Sequence, residues 1–460
     1  MFCFVVIDLK DTYTRYIINT NLLFARGCMQ TDIAIIGAGP YGLSLAAHLR
    51  QMNVDFQIFG IPMEVWRDNM PQGMHLKSEG FACTLFDPKQ ELTLAQYCQA
   101  HGIDYASIGR PIERDLFLKY GEAFQRTFVS NLQKTHVQKL EREKNEQYSL
   151  TLANGETWHA RRVIVACGIS HFANLPRELA HLPADRYSHS ARLAPLSSYA
   201  GKDIAVLGAG SSAVDVAGLL HQAGARAAIF TRRPKIWFNN PPERKSGLQQ
   251  IISAVTKPRS GLGLGWRSKM ACMAPQIFHM MPRRFRLRVT QGHLGPSATW
   301  MSRQLIEGKV PIYTGVSLTQ AQMIGDRVEL TFKCTEGEDQ KIRVDGVIAA
   351  TGYVADVSKI PFISENILKD IRTERSSPIL NRHFESSVPN LYFVGLSAAN
   401  SFGPMLRFAW GAGFVARHLS SHLAGNAFNF QRVARLFGPL KHLIATRIKD
   451  TAQASLSNNA

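Results

Sequence analysis

The chain writes one glycine-rich turn twice, and that repeat constrains its fold more than any other feature. Residues 32–49 read DIAIIGAGPYGLSLAAHL and residues 203–220 read DIAVLGAGSSAVDVAGLL. Laid over each other without a gap, residues 32–66 and 203–237 are identical at 12 of 35 positions, Trp66 with Trp237 among them. Each copy runs from a β-branched apolar strand through a tight turn into an Ala- and Leu-rich helix, the order of a dinucleotide-binding unit. Gly37 and Gly208 permit the sharp turn, and Gly39 and Gly210 let backbone come close to a pyrophosphate at the helix N-terminus. Gly42 and Ala213 keep each helix near its strand. Two such units predict an α/β chain of two Rossmann-like, three-layer domains.

The rest of the chain sets their order. ETWHARRVIVACGISHFANLP at 156–176 is a buried strand ending in A-C-G, and VDGVIAATGYVAD at 344–356 mirrors it with A-T-G. VPNLYFVGLSAANSFGPMLRFAWGAGFVARHL at 388–419 then reads as a strand, a glycine turn and a final amphipathic helix. The second domain, 196–345, is thus expected as an insert in the first, whose parts are 29–195 and 346–425. Residues 1–28 read as a disordered, dispensable extension with an alternative start at Met29. The tail 426–460 is expected to fray.

Composition excludes several classes. No apolar run approaches the roughly 18 residues of a membrane span, and the opening lacks the basic start and cleavage site of a signal peptide. The seven cysteines are odd in number and never in C-x-x-C spacing, which argues for a reducing, cytoplasmic setting and against a disulfide framework or a metal site. The absent pair also removes the route by which flavin disulfide reductases pass electrons. Net charge is +18, and residues 241–310 hold twelve Lys or Arg against only Glu243 and Glu307. With no nucleic-acid module beside it, this basic insertion reads as a solvated segment, an entrance for anions, or a membrane-surface contact.

The set GAGPYG, ACG, GAGSSA, ATGY and FVGL resembles the flavoprotein monooxygenases with paired FAD and NADPH domains, the class of flavin-containing monooxygenases and lysine or ornithine N-hydroxylases. The likeness runs from residue 29 to about 425. PMEVWRDNMPQGMHLKS, FESSVPNLYFVG and SFGPMLRF are most similar to bacterial proteins described as FAD-dependent urate hydroxylases. The resemblance implies FAD on Gly37, Gly39, Pro40, Tyr41 and Gly42, and NADPH on Gly208, Gly210, Ser211 and Ser212, with Thr351 and Gly352 completing the cofactor set. It implies hydride transfer from NADPH to FAD, capture of oxygen as a C4a-hydroperoxide, and hydroxylation of a small molecule such as an amine or a purine. The rival readings are a reductase that hands electrons to a quinone or protein partner, and a redox sensor acting through the basic insertion.

Two departures matter. The second strand ends in Gly60-Ile61-Pro62, with no carboxylate for the ribose before Glu64, so FAD is expected to be held loosely. The second unit has Thr231-Arg232-Arg233 there instead, which suits a 2′-phosphate and favours NADPH over NADH; the alternative is that both arginines belong to the general basic surface. If the resemblance holds, Trp66, Met74, Lys77 and Ser78 lie beside the flavin, where Lys77 could offset negative charge on reduced flavin or be an ordinary surface lysine. Gly395, Phe402 and Gly403 are expected where the last helix aims its N-terminus at the flavin, with Leu396 in place of the Asp found in other flavoproteins. Asn400, Arg407 and Trp410 are substrate-pocket candidates. His189, beside Ser190, reads first as a hinge or packing histidine.

Overall fold

The structure is a computed structural model and describes residues 29–241, 252, 253, 255–292 and 297–425. The expected extension 1–28, the tail 426–460 and part of the basic segment lie outside the described residues. The first glycine unit forms β1 (Met29–Ile36), α1 (Pro40–Gln51) and β2 (Phe56–Phe59). Helix α2 (Arg114–Phe128), β3 (Leu132–Gln133), β4 (Val137–Arg142), β5 (Tyr148–Leu152) and β6 (Thr157–Val165) follow. β7 (Tyr187–His189) leads into the second unit, β8 (Asp203–Leu207), α3 (Ser211–Gln222) and β9 (Arg226–Thr231). The basic segment contains α4 (Trp266–Met273), α5 (Pro275–Met280) and α6 (Arg283–Gly292). Then come α7 (Trp300–Ile306), β10 (Ile312–Thr314), β11 (Val316–Ile324), β12 (Arg327–Cys334), β13 (Gln340–Val344), β14 (Gly346–Ala349), β15 (Leu391–Phe393) and a closing helix α8 over 412–425.

Two sheets result. The first has seven strands in the order β3-β2-β1-β6-β5-β4, with β15 pairing parallel to β6 through Leu391 and Val163. The second is parallel throughout, β10-β9-β8-β14-β7. Strand alternation explains its three layers. Ile204 and Val206 point to α3 and meet Ala213, Val214, Ala217 and Leu220, while Ala205 and Leu207 point the other way onto the antiparallel meander β11-β12-β13, against Val328, Leu330 and Phe332.

The sequence repeat extends to single hydrogen bonds. The Gly37 N–H donates to Phe59 O at 2.8 Å and the Gly208 N–H to Phe230 O at 2.9 Å. Likewise Ala166 N–H bonds Ile36 O at 2.8 Å, and Ala350 N–H bonds Leu207 O at 2.9 Å, so A-C-G and A-T-G occupy equivalent places beside the two turns. Gly37 and Gly208 sit at φ +118° and +146°, and a Cβ on either would lie 2.4 Å from the carbonyl oxygen of Ala166 or Ala350. Only glycine fits there. The repeat ends before the tryptophans: Trp66 packs edge-on to Phe117 at 4.8 Å, whereas Trp237 is exposed beneath Lys235.

Two strands of the second sheet fall outside the span 196–345. They are β7 and β14, with β14 pairing with β8 and β7 forming the edge beyond it. The two crossings between domains lie together. The Ser190 N–H bonds Ala349 O at 3.0 Å, and His189 Nε2–H donates to Gly352 O at 3.0 Å while Nδ1 accepts from the Ala191 N–H at 3.1 Å. Burial holds this imidazole below its usual range, in keeping with a neutral bracing ring.

Residues 276–286 of the basic segment are anchored on the first domain's return, whereas its end, from Ala298 through α7, packs on α3 of the second domain. Arg283 pairs with the buried Glu374, Gln276 donates to Arg382 O at 3.2 Å, and Arg286 to Ser401 O at 3.3 Å. It therefore has an inner, docked face as well as a solvated one.

Candidate functional site

Ligands of open parallel sheets bind beyond the carboxyl ends of the strands, where the chain switches direction. In this chain the two switch points, β1/β6 and β8/β14, open into one cleft of ≈ 1420 Å³. Its walls include Gly37, Gly39, Pro40, Tyr41, Trp66, Met74, Lys77 and Ser78 from the first domain, and Gly208, Gly210, Ser211, Ser212, Arg232, Arg233, Thr351 and Gly352 from the second. Gly395, Leu396 and Arg407 close the far end.

The two turns suit pyrophosphates. Neither α1 nor α3 has a side-chain cap or an acid in its first turn, so their first N–H groups are left to a ligand. Nothing lies within 4 Å of where a Cβ would sit on Gly39 or Gly210, which leaves a cradle on each. Gly42 does not line the cleft; it lies beneath the turn, where a Cβ would be 1.9 Å from the Gly37 carbonyl oxygen. Arg232 and Arg233 are exposed at the cleft rim after Thr231, with no carboxylate among these three residues. Glu64 does reach the cleft, late as it is in sequence, and its carboxylate lies 3.1 Å from His136 Nε2. His136 and Gln138, at the start of β4, are wall residues that carry no local sequence motif.

Lys77 is not a free cation beside a flavin. Its ammonium lies 2.8 and 2.7 Å from the two carboxylate oxygens of Asp215, on α3 of the other domain, with side chains only 7% and 4% exposed. Ser302 on α7 completes the knot, donating to Asp215 at 2.7 Å and lying 3.1 Å from Lys77 Nζ. The segment bearing Lys77 is fastened a second time by Asn69, which donates to Ala191 O at 2.9 Å.

The opposite wall is fastened too. Tyr41 Oη lies 2.7 Å from Phe408 O and 3.0 Å from Leu406 O, and burial pushes this phenol far up, so it remains a donor. The loop it holds contains Arg407, half-buried and facing the cleft.

Four other expected residues lie elsewhere. The last long helix begins at 412, not after Gly395, so Phe402 and Gly403 are not at its start. Phe402 is fully buried, stacked on Phe384 at 4.1 Å and on His279 at 4.8 Å, because an aromatic ring there fills the joint with the basic segment. Gly403 faces Phe278, and Asn400 accepts from Thr290 of α6 at 3.3 Å. Trp410 packs edge-on to Phe81 and Phe86 beside a separate hollow of ≈ 260 Å³.

Two cysteines, Cys83 and Cys167, line the main cleft. Burial pushes the Cys167 thiol up to about 12 and Cys83 higher, so both are neutral thiols at pH 7. Among the described residues no group of three His, Cys, Asp or Glu could hold a metal ion.

The model of the pyridine nucleotide-disulphide oxidoreductase family matches residues 34–259. An FAD-dependent urate hydroxylase from Xanthomonas campestris is 38% identical over 98 residues, 20% of this chain and 21% of that protein. A ferredoxin–NADP reductase from Ignicoccus hospitalis is 25% identical over 49% of this chain and 65% of its own length. The chain thus spans less than two thirds of the length of both curated relatives. Among solved structures, the FAD-bound cadaverine monooxygenase of desferrioxamine biosynthesis from Erwinia amylovora aligns with TM-score 0.67 at 18% identity, over 86% of this chain and 95% of that one. The ornithine hydroxylase of Pseudomonas aeruginosa gives 0.65 at 16%, over 86% and 99%. The bacillithiol disulfide reductase of Staphylococcus aureus gives 0.58 at 18%, again over 86% and 99%. Such identities speak for the fold alone. Fold, turns and the match over 34–259 agree on an architecture of two dinucleotide-binding domains, similar to that of the pyridine nucleotide-disulphide oxidoreductase family.

Proposed function

We propose that the chain is an NADPH-using, FAD-dependent monooxygenase that hydroxylates a small molecule, an amine or a purine. The observation that carries this reading is the fastening of both cleft walls, Lys77 to Asp215 across the domains and Tyr41 to the 406–408 loop. Oxygen transfer needs water kept from the reacting atoms, whereas delivery of electrons to a large partner needs an open flavin edge. When bound, FAD supplies hydride acceptance and oxygen activation. The chain's own residues orient the two cofactors toward each other, and Trp66 and Met74 give apolar wall. Arg407 offers an anion contact for the substrate. Arg232 and Arg233 favour the 2′-phosphate of NADPH. The neutral thiols of Cys83 and Cys167 weigh against disulfide exchange, which requires a thiolate.

The second reading is a reductase for a quinone or protein partner, and the similarity to a ferredoxin–NADP reductase favours it. The deciding experiment reduces FAD-loaded protein with NADPH without oxygen, then mixes in oxygen with and without a panel of amines and purines. A persistent absorbance unlike oxidised or reduced flavin, with a hydroxylated product, supports the monooxygenase. Direct return to oxidised flavin with every compound, and no product, refutes it in favour of the reductase.

A further inference from the structure

Helix α4 turns its apolar stripe outward. Positions i, i+4 and i+7 share one helix face, and here they are Trp266, Met270 and Met273; Ile277 and Met280 of α5 extend the series. All five are more than half exposed, Met280 at 83%. The segment is nevertheless held down from beneath, by the buried Pro275 and Phe278 and by the contacts of Gln276, Arg283 and Arg286 with the first domain's return. Apolar surface is therefore presented on a fixed platform.

The charge around it has one sign. From residue 244 to 306 the sequence contains no Asp or Glu, and Arg259, Arg267, Arg284 and Arg288 are exposed beside the stripe. Two copies meeting through this face would set arginine against arginine with no carboxylate of the segment between them. An anionic bilayer matches both features at once, with phosphates for the cations and an apolar phase beneath for Trp and Met. Trp266 can enter that phase without an unmet donor, since its Nε1–H already bonds Val255 O at 2.9 Å.

We propose that the outer face of α4 and α5 docks the protein on an anionic lipid surface, lying in the headgroup layer without crossing it. The test is flotation of the full chain, FAD-loaded, with vesicles of phosphatidylcholine alone or of phosphatidylcholine and phosphatidylglycerol in equal parts. The expected result is binding to the mixed vesicles only, weakened by salt. Met270→Ser with Met280→Ser, and separately Arg267→Glu with Arg284→Glu, should each lower the bound fraction at least tenfold with thermal midpoint and NADPH-driven flavin reduction unchanged. Equal binding to both vesicle types overturns the proposal, as does full binding by both variants, which would assign it to other basic residues of the chain. Loss of a dimer, read by light scattering without lipid, in the methionine variant would assign the face to a second copy instead.

Discussion

Asp215→Asn tests whether Lys77 is structural or acts on the flavin. The amide keeps the shape of the carboxylate but leaves a lysine ammonium buried between two domains without its counter-charge. Breaking a buried pair from one side costs about 3–5 kcal/mol. For a unit the size of the second domain, roughly 2–4 °C of midpoint are lost per kcal/mol, so a fall on the order of 10 °C is expected by thermal denaturation followed with circular dichroism. Lys77→Met should fall by a similar amount. The double variant Lys77→Met with Asp215→Leu should recover most of the loss, because two apolar side chains replace the pair without an orphan charge. Flavin reduction by NADPH, measured by stopped flow, should slow in the single variants and recover in the double one, since the pair sets how the domains face each other. If Lys77→Met keeps the wild-type midpoint while reduction collapses, and the double variant is no better, the ammonium acts on the cofactor and the clamp is refuted.

Arg232→Asp with Arg233→Asp should reverse the preference for NADPH over NADH by roughly tenfold or more, as expected for loss of charged hydrogen bonds to a phosphate; an unchanged kcat/KM ratio returns both arginines to the general surface. Gly42→Ala forces a Cβ into the Gly37 carbonyl, so the purified protein should lose its flavin, read as the flavin-to-protein absorbance ratio, while Ala213→Gly should leave pyridine-nucleotide binding near normal. Burial holds His48, His171 and His189 below their usual range, and His383 at about 4. The unfolded chain therefore binds more protons below about pH 6.5, and stability should fall as the pH drops from there toward 4; a thermal midpoint that is flat or rising between pH 7.5 and 5 would contradict this.

What the sequence makes legible is what is encoded within one strand–turn–helix. The two turns and their A-C-G and A-T-G partners can be read because glycine and alternating apolar residues have local geometric causes. The partner of Lys77 cannot be read, since Asp215 lies far along the chain inside a helix whose pattern looks complete without it. Phe402 and Gly403 mislead for a related reason. An aromatic and a glycine near a helix start suit a flavin edge, but the same pair also suits a joint with α5, and only the position of Phe278 decides. The boundary strands β7 and β14 escape because runs of three or four residues do not announce which sheet they join.

The late pairing of β15 with β6 has a consequence for synthesis. As the chain leaves the ribosome, β6 is complete long before Leu391 is translated, and at roughly 5–20 residues per second the wait is on the order of ten seconds or more. Once Ala349 is translated the inserted domain has every strand of its own sheet, while its host still shows an unpaired edge at Val163–Val165. The insert can therefore mature first, and the host is sealed last. A nascent chain arrested before residue 391 would expose that edge to chaperones or to its neighbours, which makes the interval between Ala349 and Leu391 the most aggregation-prone stage of this protein's birth.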